Sequence, residues 1–137
     1  MLKVNEIFYS IQGESSWAGH PTIFIRMTGC LLRCTYCDTT YAYFDGTLMT
    51  LDEILANVKS FGPCQYICVT GGEPLTQKDV LVLLYELCEA SYKVSLETSG
   101  AVSCKSVDSR VKKILDVKTP DSGAPGAFNA ENFECID

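Results

Sequence analysis

Four β-branched, apolar segments each end in polar and glycine-rich residues, and this recurrence limits the fold more than any single motif. Thr22–Met27 (TIFIRM) runs into a cysteine-rich loop, Thr28–Leu48. Tyr66–Val69 runs into TGGEP, Lys93–Glu97 into TSG, and Lys113–Val117 into KTP. Short runs of this composition read as strands. Val4–Ile11 reads as a further extended segment. Helical patterns lie between. Thr50 with Glu53 three residues on forms a capping box, and Leu51, Ile54, Leu55 and Val58 then share one face. Gly62 and Pro63 end that helix. A second helix is predicted over Gln77–Ala90, with Val80, Leu81, Leu84, Leu87 and Cys88 buried. Ser106–Lys112 is ambiguous. Alternating strands and helices predict an α/β fold with parallel strands and right-handed crossovers. In such sheets and barrels ligands sit at the carboxyl ends of the strands, so four strand ends point at one site.

The chain has 137 residues, which predicts one domain over residues 1–137. Its longest solid apolar run, Val80–Tyr85, is far short of the ~20 residues of a membrane span. Met1–Glu14 carries Lys3, Glu6 and Glu14 and has no apolar signal-peptide core. A net charge of −6 disfavours nucleic acid as a partner, because neutralising phosphates dominates that affinity. The last predicted strand is an exposed edge, which native proteins usually cover. A partner, or a C-terminal part beyond this chain, is expected to close it. The tail from Asp121 onward reads as loop.

Cysteine is the anomaly, with eight residues. Without a secretory signal they predict a reducing, cytoplasmic setting, where clustered thiols read as metal ligands before disulfides. Cys30, Cys34 and Cys37 form C-x3-C-x2-C. Structural zinc sites use four closed ligands, often in two pairs. Three thiolates on a four-iron cluster leave one iron open for a ligand, whereas a four-cysteine site is closed. A zinc site completed by a remote Cys or by His20 is the alternative. His20, Trp17, Cys64, Cys68, Cys88 and Cys104 otherwise take structural readings.

CLLRCTYCD followed by TGGEP resembles the radical S-adenosylmethionine (SAM) superfamily. FYSIQGESSWAGHPTIFIRMTGCLLRCTYCDT, VTGGEP, ETSG and DVKTPDSG resemble the 7-carboxy-7-deazaguanine synthase family within it, over nearly the whole chain. The resemblance implies a partial (β/α) barrel carrying a [4Fe–4S] cluster, SAM and Mg²⁺. It also implies a lyase that converts 6-carboxy-5,6,7,8-tetrahydropterin to 7-carboxy-7-deazaguanine with loss of ammonia, in queuosine biosynthesis. SAM would ligate the open iron and yield a 5′-deoxyadenosyl radical. A homodimer and an electron donor such as flavodoxin are implied as partners. Members of the family continue past a segment like NFECID, so this chain is expected to be incomplete at its C-terminus.

Carried over residue by residue, the resemblance makes Cys30, Cys34 and Cys37 the cluster ligands and Thr39 the Mg²⁺ ligand. Tyr36, Cys37, Asp38, Gly72, Glu97, Asp116, Val117 and Lys118 would touch SAM. Gln12, Gly13, Glu14, Arg26 and Thr70 would touch the pterin. Arg26 interrupts an apolar strand, where a cation needs a partner. A bidentate grip on a substrate carboxylate would supply one, and so would an ordinary salt bridge. Gly71 and Gly72 let backbone approach a ligand closely. Glu73 supports either SAM or the turn. Two other readings remain: another radical SAM enzyme, such as a glycyl-radical activating enzyme, or a non-catalytic iron–sulfur electron-transfer module.

Overall fold

A computed structural model describes residues 1–135 and shows an open, mostly parallel six-stranded sheet in the order β3-β1-β2-β4-β5-β6. The strands are β1 (Leu2–Ile11), β2 (Pro21–Met27), β3 (Thr47–Met49), β4 (Tyr66–Gly71), β5 (Lys93–Thr98) and β6 (Lys112–Leu115). β2, β4, β5 and β6 pair in parallel. These are the four strands expected to run parallel; β1, expected only as an extended segment, lies antiparallel to both of its neighbours, β2 and β3. The β1–β2 connection is a hairpin loop, and a hairpin reverses the chain. β3 overlaps the end of the expected loop Thr28–Leu48, since three residues show too little alternation to mark a strand.

Helix α1 (Leu51–Ser60) starts at the predicted capping box, with the Thr50 hydroxyl accepting from the Glu53 amide and the Glu53 carboxylate accepting from the Thr50 amide. Ile54 and Val58 are fully buried. Helix α2 (Val80–Glu89) begins three residues later than expected, after a 3-10 turn at Pro74–Thr76. The Gln77 side chain is used elsewhere: it donates to the carbonyls of Lys3 and Thr28 and accepts from the Lys3 amide. Leu83, rather than the half-buried Leu81, joins Val80, Leu84 and Leu87 in the core. In a helix apolar on nearly every side, neighbouring phases fit almost equally well. Of the ambiguous segment Ser106–Lys112, residues 106–111 form irregular turns anchored by buried Val107 and Val111, and Lys112 starts β6.

The core lies between the sheet and these helices, built on Ile23, Ile25, Met27, Ile67, Val69, Val94 and Leu96. Burying such a side chain contributes roughly 1.5–3 kcal/mol. Because side chains alternate between faces, the intervening residues Arg26, Cys68, Thr70, Ser95 and Glu97 point to the opposite face. Trp17 and His20 pack on Tyr66, with ring centroids 5.3 and 4.5 Å from that of Tyr66.

The tail is more ordered than a loop reading implies. Buried Asn132 donates to the carbonyls of Gly100 and Val102 and accepts from the Cys104 amide. The last two residues of the NFECID segment, 136 and 137, lie outside the described residues. Among the described residues, no helix is long and apolar enough to cross a membrane.

Candidate active site

The four strand ends meet in one cleft of about 670 Å³. The loop after β2 contributes Cys30, Cys34, Tyr36, Cys37, Asp38 and Thr39 to its lining. β4 and its turn supply Thr70, Gly71 and Gly72, while β5 supplies Glu97 and Thr98. Asp116 and Lys118 come from the segment after β6, and Glu14 and Arg26 line the cleft too.

Close backbone packing holds the cysteine loop. The Glu73 amide donates to the Gly29 carbonyl at 2.7 Å, and the Gly72 amide to the Met27 carbonyl at 3.3 Å. A Cβ on Gly72 would stand 2.2 Å from the Gly29 oxygen and 2.8 Å from the Cys30 Cβ. The two glycines were expected to admit a ligand; what already approaches them is the backbone that presents Cys30. Gly71, at φ +152°, would likewise drive a Cβ to 2.4 Å from the Met27 oxygen.

Cys30, Cys34 and Cys37 are free thiols, each partly buried. Burial pushes the Cys30 thiol up, and the nearby Glu73 and Cys34 charges add to this. Burial also acts to raise Cys37, but hydrogen bonds with Tyr43 and Thr39 outweigh it and bring the thiol below its ordinary value. Tyr43 is pushed up to about 12, first by its bond to Cys37. Among the described residues, no three His, Cys, Asp or Glu side chains are gathered around one ion-sized point. An iron–sulfur cluster does not require that, since each thiolate binds a different iron. The donor set of three soft thiols in one cleft fits such a cluster.

Thr39 sits at the start of the 3-10 turn Thr40–Tyr43 but makes no side-chain cap. Its hydroxyl lies 3.7 Å from the Cys37 sulfur. Arg26 donates through Nε to Glu6 Oε1 at 2.8 Å, so it has a carboxylate partner within the chain. Asp116 and Lys118 pair with each other, and the Lys118 ammonium stands 5.6 Å from the Tyr36 ring centroid. Burial acts to lower Lys118, while its bond to Asp116 outweighs this and holds it above its ordinary value.

Three carried-over residues do not line the cleft. Gln12 is buried behind it and donates through Nε2 to Glu97 Oε1 at 3.1 Å. Gly13 is exposed, and a Cβ there would meet nothing within 4 Å. Val117 is 54% exposed. β6 ends at Leu115, two residues earlier than expected, so Val117 is outside the strand. Glu73 is fully buried and bonds the turn and β5, which favours the turn-supporting alternative. Sequence reasoning missed Tyr43, Ser99 and Ile114, which also line the cleft. The aromatic run after the cysteine motif was a usable signal for Tyr43. The alternation of β6 would have marked Ile114.

The Radical SAM superfamily profile matches residues 24–121. The chain is 51% identical over 133 residues to 7-carboxy-7-deazaguanine synthase from Chlorobaculum tepidum, covering 96% of this chain and 60% of that protein. It is 46% identical over 136 residues to the enzyme of that name from Koribacter versatilis, covering 98% of this chain and 60% of that one. The chain thus spans about three fifths of the length of these curated relatives. Its fold resembles the crystal structure of QueE from Escherichia coli, with a TM-score of 0.85 at 24% identity, covering 98% of this chain and 67% of that one. A profile match across the strands that build the cleft, together with three free thiols in its lining, makes this chain a member of the radical SAM superfamily.

Proposed function

We propose that this chain carries the active-site portion of a 7-carboxy-7-deazaguanine synthase, acting on 6-carboxy-5,6,7,8-tetrahydropterin and releasing ammonia in queuosine biosynthesis. One observation carries the reading. The cleft that holds the three thiols also holds a cation, Arg26, at the end of an apolar strand. A [4Fe–4S] cluster with SAM would supply the radical chemistry when bound, and the protein supplies binding and orientation.

Cys30, Cys34 and Cys37 would hold the cluster. Tyr36, Asp38, Gly72, Glu97, Asp116 and Lys118 would position SAM around it. Thr39 presents a hard oxygen donor suited to Mg²⁺. Arg26, Thr70 and Glu14 would meet the pterin, with Gln12 acting from behind through Glu97. The Arg26 guanidinium suits a carboxylate because its planar fork can donate two parallel bonds. A homodimer, a flavodoxin-type electron donor and a cytoplasmic setting complete the proposal.

An anaerobic assay tests this reading. The chain is reconstituted with iron and sulfide and given SAM, Mg²⁺, a reductant and 6-carboxytetrahydropterin. Mass spectrometry should detect 7-carboxy-7-deazaguanine. Formation of 5′-deoxyadenosine without that product would overturn the substrate assignment for this chain while leaving the radical machinery in place. Neither product from a cluster-loaded chain would overturn the activity.

A further inference from the structure

We propose that Glu6 is a positioning residue that gives this cleft its preference for a carboxylated ligand, by holding the Arg26 guanidinium through Nε. The inference rests on the pterin reading above and extends it to a residue outside the cleft lining.

The argument begins with a β-bulge. Along the β1–β2 ladder Val4 pairs with Met27, but Glu6 pairs with Arg26. Two steps on β1 therefore face one step on β2, and Asn5 is the extra residue. In a regular strand Val4 and Glu6 would share a face. Val4 is buried in the helix-covered core with Leu2. The bulge turns Glu6 away from that core and onto the face of Arg26. Past it, Ile7 packs back against the core, while Phe8 stacks on Phe24 with centroids 5.0 Å apart. Bulges re-aim side chains and are over-represented beside active sites. The Asn5 side chain, displaced from the ladder, donates to the Asp45 carbonyl at 2.9 Å.

The re-aimed carboxylate is well placed. Glu6 Oε1 accepts from Arg26 Nε at 2.8 Å and from the Tyr41 hydroxyl at 3.2 Å. The guanidinium carbon lies 5.6 Å from the Phe8 ring centroid and 5.8 Å from that of Tyr41. Two rings and one carboxylate thus flank the fork, and the carboxylate holds it at Nε. Glu6 uses the Nε position and leaves the Nη1/Nη2 edge, which matches a carboxylate in bidentate geometry. Fixing that edge before binding removes an ordering cost that a free arginine would meet on binding.

The test uses the full chain, with folding of each variant checked by circular dichroism. Wild type, Glu6→Ala and Glu6→Gln are titrated by fluorescence with 6-carboxypterin and with pterin lacking the carboxylate. Glu6→Ala is expected to weaken 6-carboxypterin by about tenfold and leave pterin unchanged. Glu6→Gln, whose amide oxygen still accepts from Nε, is expected to recover part of that loss. Tyr41→Phe, at an exposed position, should shift 6-carboxypterin selectively in the same direction. Unchanged or tighter binding of 6-carboxypterin by Glu6→Ala would mean that Glu6 competes with the ligand or ignores it, and overturns the proposal. Equal weakening of both ligands would show a merely structural role and overturns it too. A wild type that does not prefer 6-carboxypterin to pterin overturns the carboxylate grip itself, and the Glu6 role falls with it.

Discussion

The Thr98 hydroxyl, at the end of β5, donates to the Glu73 carboxylate at 2.8 Å, in the turn after β4. Glu73 is fully buried and also accepts from the amides of Leu75 and Ser99 and from the Ser99 hydroxyl. One carboxylate thus locks two strand-end turns together, and its own amide holds the cysteine loop through Gly29. Buried charge is tolerated here because donors surround it.

Glu73→Ala would leave those donors unpaired. Each lost partner costs about 1–3 kcal/mol, so the variant is expected to lose roughly 3 kcal/mol or more of stability. Urea unfolding followed by circular dichroism reads this directly. A loss below about 1 kcal/mol would show that the tie contributes little.

Gly72→Ala is expected to disturb the cysteine loop from the opposite side. The added Cβ clashes with the Gly29 oxygen and the Cys30 Cβ, which are backbone and near-backbone atoms that cannot swing away. Overpacking of this kind costs about 1–3 kcal/mol. The iron content of the reconstituted variant should fall together with its melting temperature. Normal iron loading would mean that the loop yields without consequence.

Cys34→Ala should lose the visible absorbance and the iron–sulfide stoichiometry of a reconstituted [4Fe–4S] cluster. Cys64→Ala, whose half-buried thiol contacts the Pro21 and Tyr66 carbonyls, should keep both. A full cluster in Cys34→Ala would refute the ligand assignment.

Arg26→Ala should weaken binding of the carboxylated pterin by about 2–5 kcal/mol, the range for removing one partner of a buried charged contact. Unchanged affinity in a calorimetric titration would remove the grip from the mechanism.

Buried thiols predict a loss of stability at high pH. Burial, the largest cause, raises Cys104 from 9.0 to about 11, and burial also raises Cys68. Unfolded thiols ionise near 9.0, while the folded Cys104 stays neutral. Its contribution is therefore fully present below pH 9, declines as pH rises, and is gone above about 11. The melting temperature of wild type should drop between pH 8 and pH 10.5 more steeply than that of Cys104→Ala. Parallel slopes would show that Cys104 is not the cause.

Much of this was legible locally. The capping box at Thr50 and Glu53, the spacing of Cys30, Cys34 and Cys37, and the polar residues closing each strand are short-range patterns that a linear reading detects. They determined the helix start, the gathering of three thiols in one loop and the convergence of strand ends on one site. Tertiary structure decided what depends on partners far apart in the chain. It set β1 antiparallel to its neighbours, diverted Gln77 from the second helix to tie β1 to the residue after β2, and placed Gln12 behind Glu97 rather than on the cleft wall. It also turned Glu6 toward Arg26 through one extra residue, Asn5. Side-chain period and capping are encoded within a few neighbouring residues. Strand direction, register and the pairing of buried polar groups emerge only when distant segments pack together.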